Sequence, residues 1–344
     1  MSANPVVIDV TRGGMIESCH RGAVAVVRDD GKLLASLGDV SQLIYPRSSI
    51  KPLQAIQLVE SGAAEAYQLT DRQLALACAS HNGESIHVET VRRWLIQIGL
   101  NENALECGAH PPRLSRDQRT LITSNLDPSA AHNNCSGKHA GFLSSVQHLG
   151  FESTGYIAAT HPIQQRVFSL LEDLADVSLT DVPQGIDGCG IPVAGIALQP
   201  LALSFARFAS GKGLSIERRH ASKHIYRAMV SEPMMVAGTG RWCTRAMQAG
   251  KGSFIVKTGA EGVFCGAVPD AGIGIALKID DGASRASECF MGAVLSRISD
   301  LKDVFKGESE DLVHLPVLNV AGKIAGVVRP SKMLEELLDG SLKP

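Results

Sequence analysis

Aromatic side chains are scarce: Phe, Trp and Tyr make up 4% of the 344 residues, with only 2 Trp and 4 Tyr. A surface that stacks bases needs such rings beside a basic stripe. The stripe is missing too, since 33 Lys plus Arg face 35 Asp plus Glu for a formal charge of −2. No nucleic-acid partner is expected. No apolar run approaches the roughly 20 residues of a membrane span. The start, Met-Ser-Ala-Asn-Pro-Val-Val, has neither the basic nor the apolar region of a secretory leader. The expected setting is the cytoplasm, with no membrane association. The eight cysteines, at 19, 78, 107, 135, 189, 243, 265 and 289, contain no C-x-x-C pair and read as reduced thiols rather than a disulfide framework. Repeats and low-complexity tracts are also lacking.

What is present is a globular composition, 44% hydrophobic and 20% charged, in a chain long enough for two domains or for one core with an inserted lobe. Short β-branched runs at 6–10 and 23–28, the turn Asp29-Asp30-Gly31 and the segment 32–37 predict an N-terminal hairpin. From 48 to 235 the period becomes helical, as in Leu53, Ile56, Leu58 and Val59, or Val167, Leu170, Leu171 and Leu174. Strand signals return at 253–257, 262–268 and 272–279, followed by a helix near 285–300 and two strands around 315–328. This predicts an α/β fold in one catalytic unit. Segments of about 1–47 and 250–344 form a mainly antiparallel sheet, with a mostly helical lobe, about 48–249, inserted between them.

Arg47-Ser48-Ser49-Ile50-Lys51-Pro52 lies where the hairpin region meets the first long helix. Proline is tolerated only in a first turn, so the helix begins near Ser48 and sets Ser48 and Lys51 on one face beside the positive end of the helix. A serine hydroxyl becomes nucleophilic when a neutral lysine takes its proton. The plain alternative is an N-cap serine with a solvated lysine, and Ser299-Asp-Leu-Lys302 shows how easily the spacing recurs. Order adds weight. Ser80-His81-Asn82 follows an apolar helical run, and Lys257-Thr258-Gly259 ends a predicted strand. A Ser-x-x-Lys, a Ser-x-Asn and a Lys-Thr-Gly in this order are the signatures of penicillin-recognising serine acylases. They supply two hydroxyls and two amines for acyl transfer.

A second constellation is His132-Asn133-Asn134-Cys135-Ser136-Gly137-Lys138-His139. It is not a Walker A loop, because histidine occupies both 132 and 139 where glycine and Ser or Thr are required. Gly185-Ile186-Asp187-Gly188-Cys189-Gly190 is a glycine-rich turn. Cys135, Cys189 and His139 are zinc candidates without diagnostic spacing, and buried inert cysteines are the competing reading.

These segments together make the chain, over roughly 10–335, similar to the L-asparaginase II family, the thermolabile or Rhizobium-type L-asparaginases. The resemblance rests on the motifs at 47–52, 79–84 (Ala-Ser-His-Asn-Gly-Glu), 132–139, 185–190 and 257–262 (Lys-Thr-Gly-Ala-Glu-Gly). It implies a serine β-lactamase-like fold and hydrolysis of L-asparagine to L-aspartate and ammonia, with a homodimer as the assembly. It makes Ser48 with Lys51 one catalytic pair and Ser80 with Lys257 the other, and it makes Cys135, Lys138 and Cys189 ligands of a zinc ion near the substrate. Asp187 and His139 then hold the ammonium and carboxylate of the substrate or support the ligands, and Arg47, Asn82 and Glu84 are lesser candidates for the same work. The alternatives are a β-lactam-recognising acylase, a glutaminase-like amidase and, outside enzymes, a zinc-dependent binder of small ligands.

Overall fold

The computed structural model describes residues 3–338. The chain folds as two compact units. Of the described residues, one is drawn from 3–49, 195–212 and 246–338, and the other from 50–194 and 213–245.

The first unit is built on an eight-stranded antiparallel sheet. From one edge the order is Leu315–Leu318, Ile324–Pro330, Val6–Arg12, Met15–Arg28, Ile273–Ile279, Val263–Val268 and Ile255–Thr258, with Leu33–Leu37 also paired to Met15–Arg28. Both chain ends therefore feed one sheet, as the strand signals predict. The expected hairpin around Asp29-Asp30-Gly31 is present, with Val24 opposite Leu37 and Val27 opposite Leu33. The strand before it is longer than the apolar pattern indicated. Its first half, from Met15 to Cys19, is largely exposed, and it is strand because it pairs with Val6–Arg12 across Gly13-Gly14. Its second half is apolar, with Val24, Val26 and Val27 at most 1% exposed. Every residue of Val263–Val268 is buried, which requires cover on both faces. Helices Leu198–Ser210 and Ser284–Leu295 supply contacts to this part of the sheet. The first of these falls inside the span read as the helical lobe, yet it belongs with the sheet.

The second unit is helical. Its helix Lys51–Glu60 packs against Ile216–Ser231, Ser136–His148 and Pro162–Ala175. Every residue from Lys51 to Leu58 is buried, as a helix enclosed by neighbours on all sides demands. Pro52 sits in its first turn, preceded by a 3-10 turn at Arg47–Ile50. Helix Asp71–Ala77 opens with a capping box in which Thr70 and Gln73 satisfy each other's backbone N–H groups. The turn carrying Asp187 and Cys189 joins the paired strands Gln184–Ile186 and Pro192–Ala194. Among the described residues, no helix is long and apolar enough to cross a membrane.

Candidate active site

In the sheet unit, Ser48 lies in a strained turn. Arg47 has φ of 51°, in the left-handed region that a side chain other than glycine seldom adopts. The two adjacent serines differ. Ser49 is fully buried and its Oγ donates to Pro46 O at 2.7 Å, whereas Ser48 is half-buried. Lys257, 1% exposed, comes from the edge strand Ile255–Thr258, and its Nζ donates to Thr258 O at 2.6 Å. The strand end runs close against the serine turn. A Cβ on Gly259 would stand 2.9 Å from Pro46 O and 3.2 Å from Ser49 N, so only glycine lets Lys257-Thr258-Gly259 pass there.

In the helical unit, Lys51 is 1% exposed, a rare state for lysine unless its amine is fully engaged. Its Nζ donates to Ala79 O, to Ser80 Oγ at 3.2 Å and to Cys135 Sγ at 3.1 Å. This single amine links the serine loop to the thiol loop. The segment 132–139 reads as polar loop in sequence but is almost wholly buried here, and Ser136–His148 carries Lys138 and His139 in its first turn. Lys138 Nζ lies 2.9 Å from Cys189 Sγ, and the Cys135 and Cys189 sulfurs are hydrogen-bonded to each other. Cys135 sits well below the usual thiol range because Cys189 donates to it and Lys51 and Lys138 stand by, overcoming burial, while Cys189 is raised as the donor in the same bond. Burial opposes the Lys138 ammonium, but the sulfurs of Cys189 and Cys135 and the Asp187 carboxylate outweigh it and raise its pKa. His139, 0% exposed, is kept neutral by burial and then by Lys138 and Lys51. Its Nδ1 meets Tyr156 OH at 2.7 Å.

Asn82 and Glu84 spend their hydrogen-bonding capacity on the protein itself. Glu84 accepts from Asn82 Nδ2 at 3.1 Å, Thr239 N at 2.8 Å, Thr239 Oγ1 at 2.6 Å and Arg116 at 2.7 Å. Arg241 donates to Ser80 O at 3.1 Å and Asn82 Oδ1 at 3.3 Å. The loop bearing Ser80 is thus tied to residues 238–241. Gly238, at φ 108°, is obligatory in that join, since a Cβ would stand 2.5 Å from Glu84 Oε1. Burial opposes the Glu84 charge, yet the bonds from Thr239 and Asn82 outweigh it and lower its pKa. A carboxylate lowered on folding contributes stability above its unfolded pKa of about 4.3 and loses it as the pH falls through the folded value. Glu84→Gln, which also turns an amide N–H toward these donors, is therefore expected to cost about 2 to 3 kcal/mol at pH 7 and to flatten the fall in stability below about pH 4. Urea melts of both proteins from pH 7 to pH 3 measure this, and parallel pH curves would reject the assignment.

Thr239, Arg241, Arg116 and Tyr156 are site residues that sequence reasoning missed. Only Gly238-Thr-Gly240, a loop signal, stands near any of them. Of the implied residues, Lys51, Ser80, Cys135, Lys138, Cys189 and His139 lie in the helical unit with Asn82, Glu84 and Asp187, while Arg47, Ser48 and Lys257 belong to the sheet unit. Each implied serine and lysine pair thus has one member in each unit. The contact seen inside the helical unit joins Lys51 of one pair to Ser80 of the other. Among the described residues, no three of His, Cys, Asp and Glu lie together as a metal site.

Lys51, Ser80 and Cys135 form a buried cluster of amine, hydroxyl and thiol on an α/β fold, and the family match makes the chain a hydrolase. The family described as L-asparaginase II matches residues 8–330, and the chain belongs to that family. No curated protein matches it. Solved structures to which it is similar include that of Mglu, at 15% identity and a TM-score of 0.47, covering 89% of this chain and 73% of the other. They also include a β-lactamase from Mycobacterium bovis, at 15% identity and a TM-score of 0.39, covering 76% and 88%. A class C β-lactamase from Rhodobacter sphaeroides has 13% identity and a TM-score of 0.38, covering 76% and 90%.

Proposed function

We propose that the protein is an L-asparagine amidohydrolase that works through an acyl group on Ser48. The observation that carries this reading is Lys51 buried among Ser80 Oγ, Ala79 O and Cys135 Sγ, in a chain of the L-asparaginase II family. Ser48 Oγ attacks the side-chain amide carbon while Lys51 takes the hydroxyl proton and passes it to the departing nitrogen, which leaves as ammonia. Water then attacks the aspartyl ester, gives up a proton to the same amine, and frees Ser48 with L-aspartate. Ser80 and Lys257 serve as the second pair, returning protons to Lys51. His139 and Asp187 hold the amino-acid end of the substrate, with Arg47 in support. Asn82 and Glu84 act by holding the Ser80 loop in place.

The chemistry of the donors at Cys135, Lys138 and Cys189, two hydrogen-bonded sulfurs and an amine 2.9 Å from one of them, fits zinc. A zinc ion held there would supply a Lewis-acid contact to an oxygen of the substrate, and loading it would release the protons of Lys138 and Cys189. We place the protein in the cytoplasm as a homodimer. Chelation is expected to raise KM for L-asparagine at least about tenfold while kcat stays within about threefold. An equal fall in kcat and kcat/KM would move the metal into the chemical step. The reading as a whole is tested by ammonia release from L-asparagine and L-glutamine, with a labelled penicillin in parallel. Acylation by the penicillin without turnover of asparagine would favour the β-lactam-recognising alternative, and metal-linked asparagine binding without turnover would favour a binder.

A further inference from the structure

Tyr156 is fully buried, and among the described residues its hydroxyl touches two groups: Glu106 N–H, which donates to it at 3.1 Å, and His139 Nδ1 at 2.7 Å. A phenol has one proton to place, and a backbone N–H cannot accept it. The proton therefore points at Nδ1, which must be the bare nitrogen of a neutral imidazole. The ring's own proton is then on Nε2. His139 is 0% exposed, and Nε2 has no hydrogen-bond partner in the protein among the described residues. A buried donor left in this state is costly and is seldom kept without a use.

We propose that Tyr156 is a positioning residue that locks His139 as an Nε2–H donor, and that this donor binds a carboxylate oxygen of the amino acid in the site. An anionic oxygen is the acceptor that suits the surroundings. His139 follows Lys138 in the first turn of its helix, and the Lys51 charge also reaches the ring. The phenol lets a neutral ring act as a directed donor beside those two amines. This rests on the amino-acid hydrolase reading for its ligand, but the tautomer does not.

The test is NMR of protein carrying 15N-labelled histidine, with L-aspartate as the probe and His139→Gln to assign the signals. The wild type is expected to show His139 as the Nε2–H tautomer, with L-aspartate shifting Nε2 and leaving Nδ1 nearly unmoved. Tyr156→Phe should give a tautomer mixture, weaken L-aspartate about tenfold and raise KM for L-asparagine by a similar factor with kcat within about threefold. His139→Gln, whose amide N–H reaches the place of Nε2, should bind L-aspartate within about threefold of the wild type. His139→Asn, whose amide matches Nδ1, should lose about tenfold or more. An Nδ1–H tautomer in the wild type overturns the proposal, as does an Nε2 signal indifferent to L-aspartate, the result expected if a permanent water occupies the donor. Equal behaviour of the Gln and Asn variants overturns it too. If L-aspartate moves Nε2 while L-asparagine yields no ammonia, the hydrolase reading falls and this one is supported.

Discussion

Ser48→Ala is expected to lower ammonia release from L-asparagine by at least about 10⁴-fold while leaving the melting temperature close to that of the wild type. The sequence offers two adjacent serines, and the structure separates them. Ser49 is the structural one: its hydroxyl is buried and bonded to Pro46 O, so Ser49→Ala should cost about 1 kcal/mol of stability and keep most of the activity. Ser48 is half-buried, follows a residue forced into the left-handed region, and sits in the turn that Gly259 of the Lys-Thr-Gly segment crosses. Backbone strain of that kind is kept where it aims a side chain. The two alanine variants, assayed side by side for ammonia and by thermal melts, decide the matter. If Ser48→Ala retains activity and Ser49→Ala loses it, the nucleophile has been misassigned. Capture of the aspartyl ester by rapid denaturation and mass spectrometry of the 47–60 peptide is expected in the wild type alone.

The parts of this site that can be read from sequence are those whose chemistry is local. Pro52 marks a first turn wherever it stands, so the helix start beside Ser48 was predictable, and a 3-10 turn running into Lys51–Glu60 is what forms. Lys257-Thr258-Gly259 follows a β-branched run and ends a strand. Long-range partners leave no such mark. Nothing near Glu84 announces that its carboxylate will be met by Thr239 and Arg116, and nothing near Ser80 points to Arg241, because those pairs are made by chain reversal rather than by spacing. The polarity of 132–139 misleads for a related reason. Polar residues usually mark exposure, but here Asn133 is buried by bonding Cys107 O and the amide of Cys135, and the segment becomes part of the interior. Likewise the helical period over 48–235 does not say that one of the helices in that span, Leu198–Ser210, packs on the sheet. The exposed half of Met15–Arg28 has no alternation to betray it, and only pairing with Val6–Arg12 makes it a strand.

Lys51→Met is the second large effect expected. Methionine fills nearly the same volume without a proton to give or take, so ammonia release should fall at least about 10³-fold. Some stability goes with it, because Ala79 O and Ser80 Oγ lose a buried donor, a cost of about 1 to 3 kcal/mol. That penalty makes a single variant ambiguous, and Lys51→Arg resolves it. Arginine restores a cation and several donors, which can hold the Cys135 sulfur and the Ala79 carbonyl, but it keeps its proton at any pH the fold survives. A lysine needed only as a cation or a structural donor would be replaced by arginine with much of its activity. A lysine that must shed and regain a proton would not. The expectation is that Lys51→Arg binds L-aspartate within about tenfold of the wild type and melts near it, yet remains as inactive as Lys51→Met. Activity in the arginine variant above about a tenth of the wild type would remove Lys51 as the base and move the proton transfer to Lys257, which is equally buried and ends the strand beside Ser48.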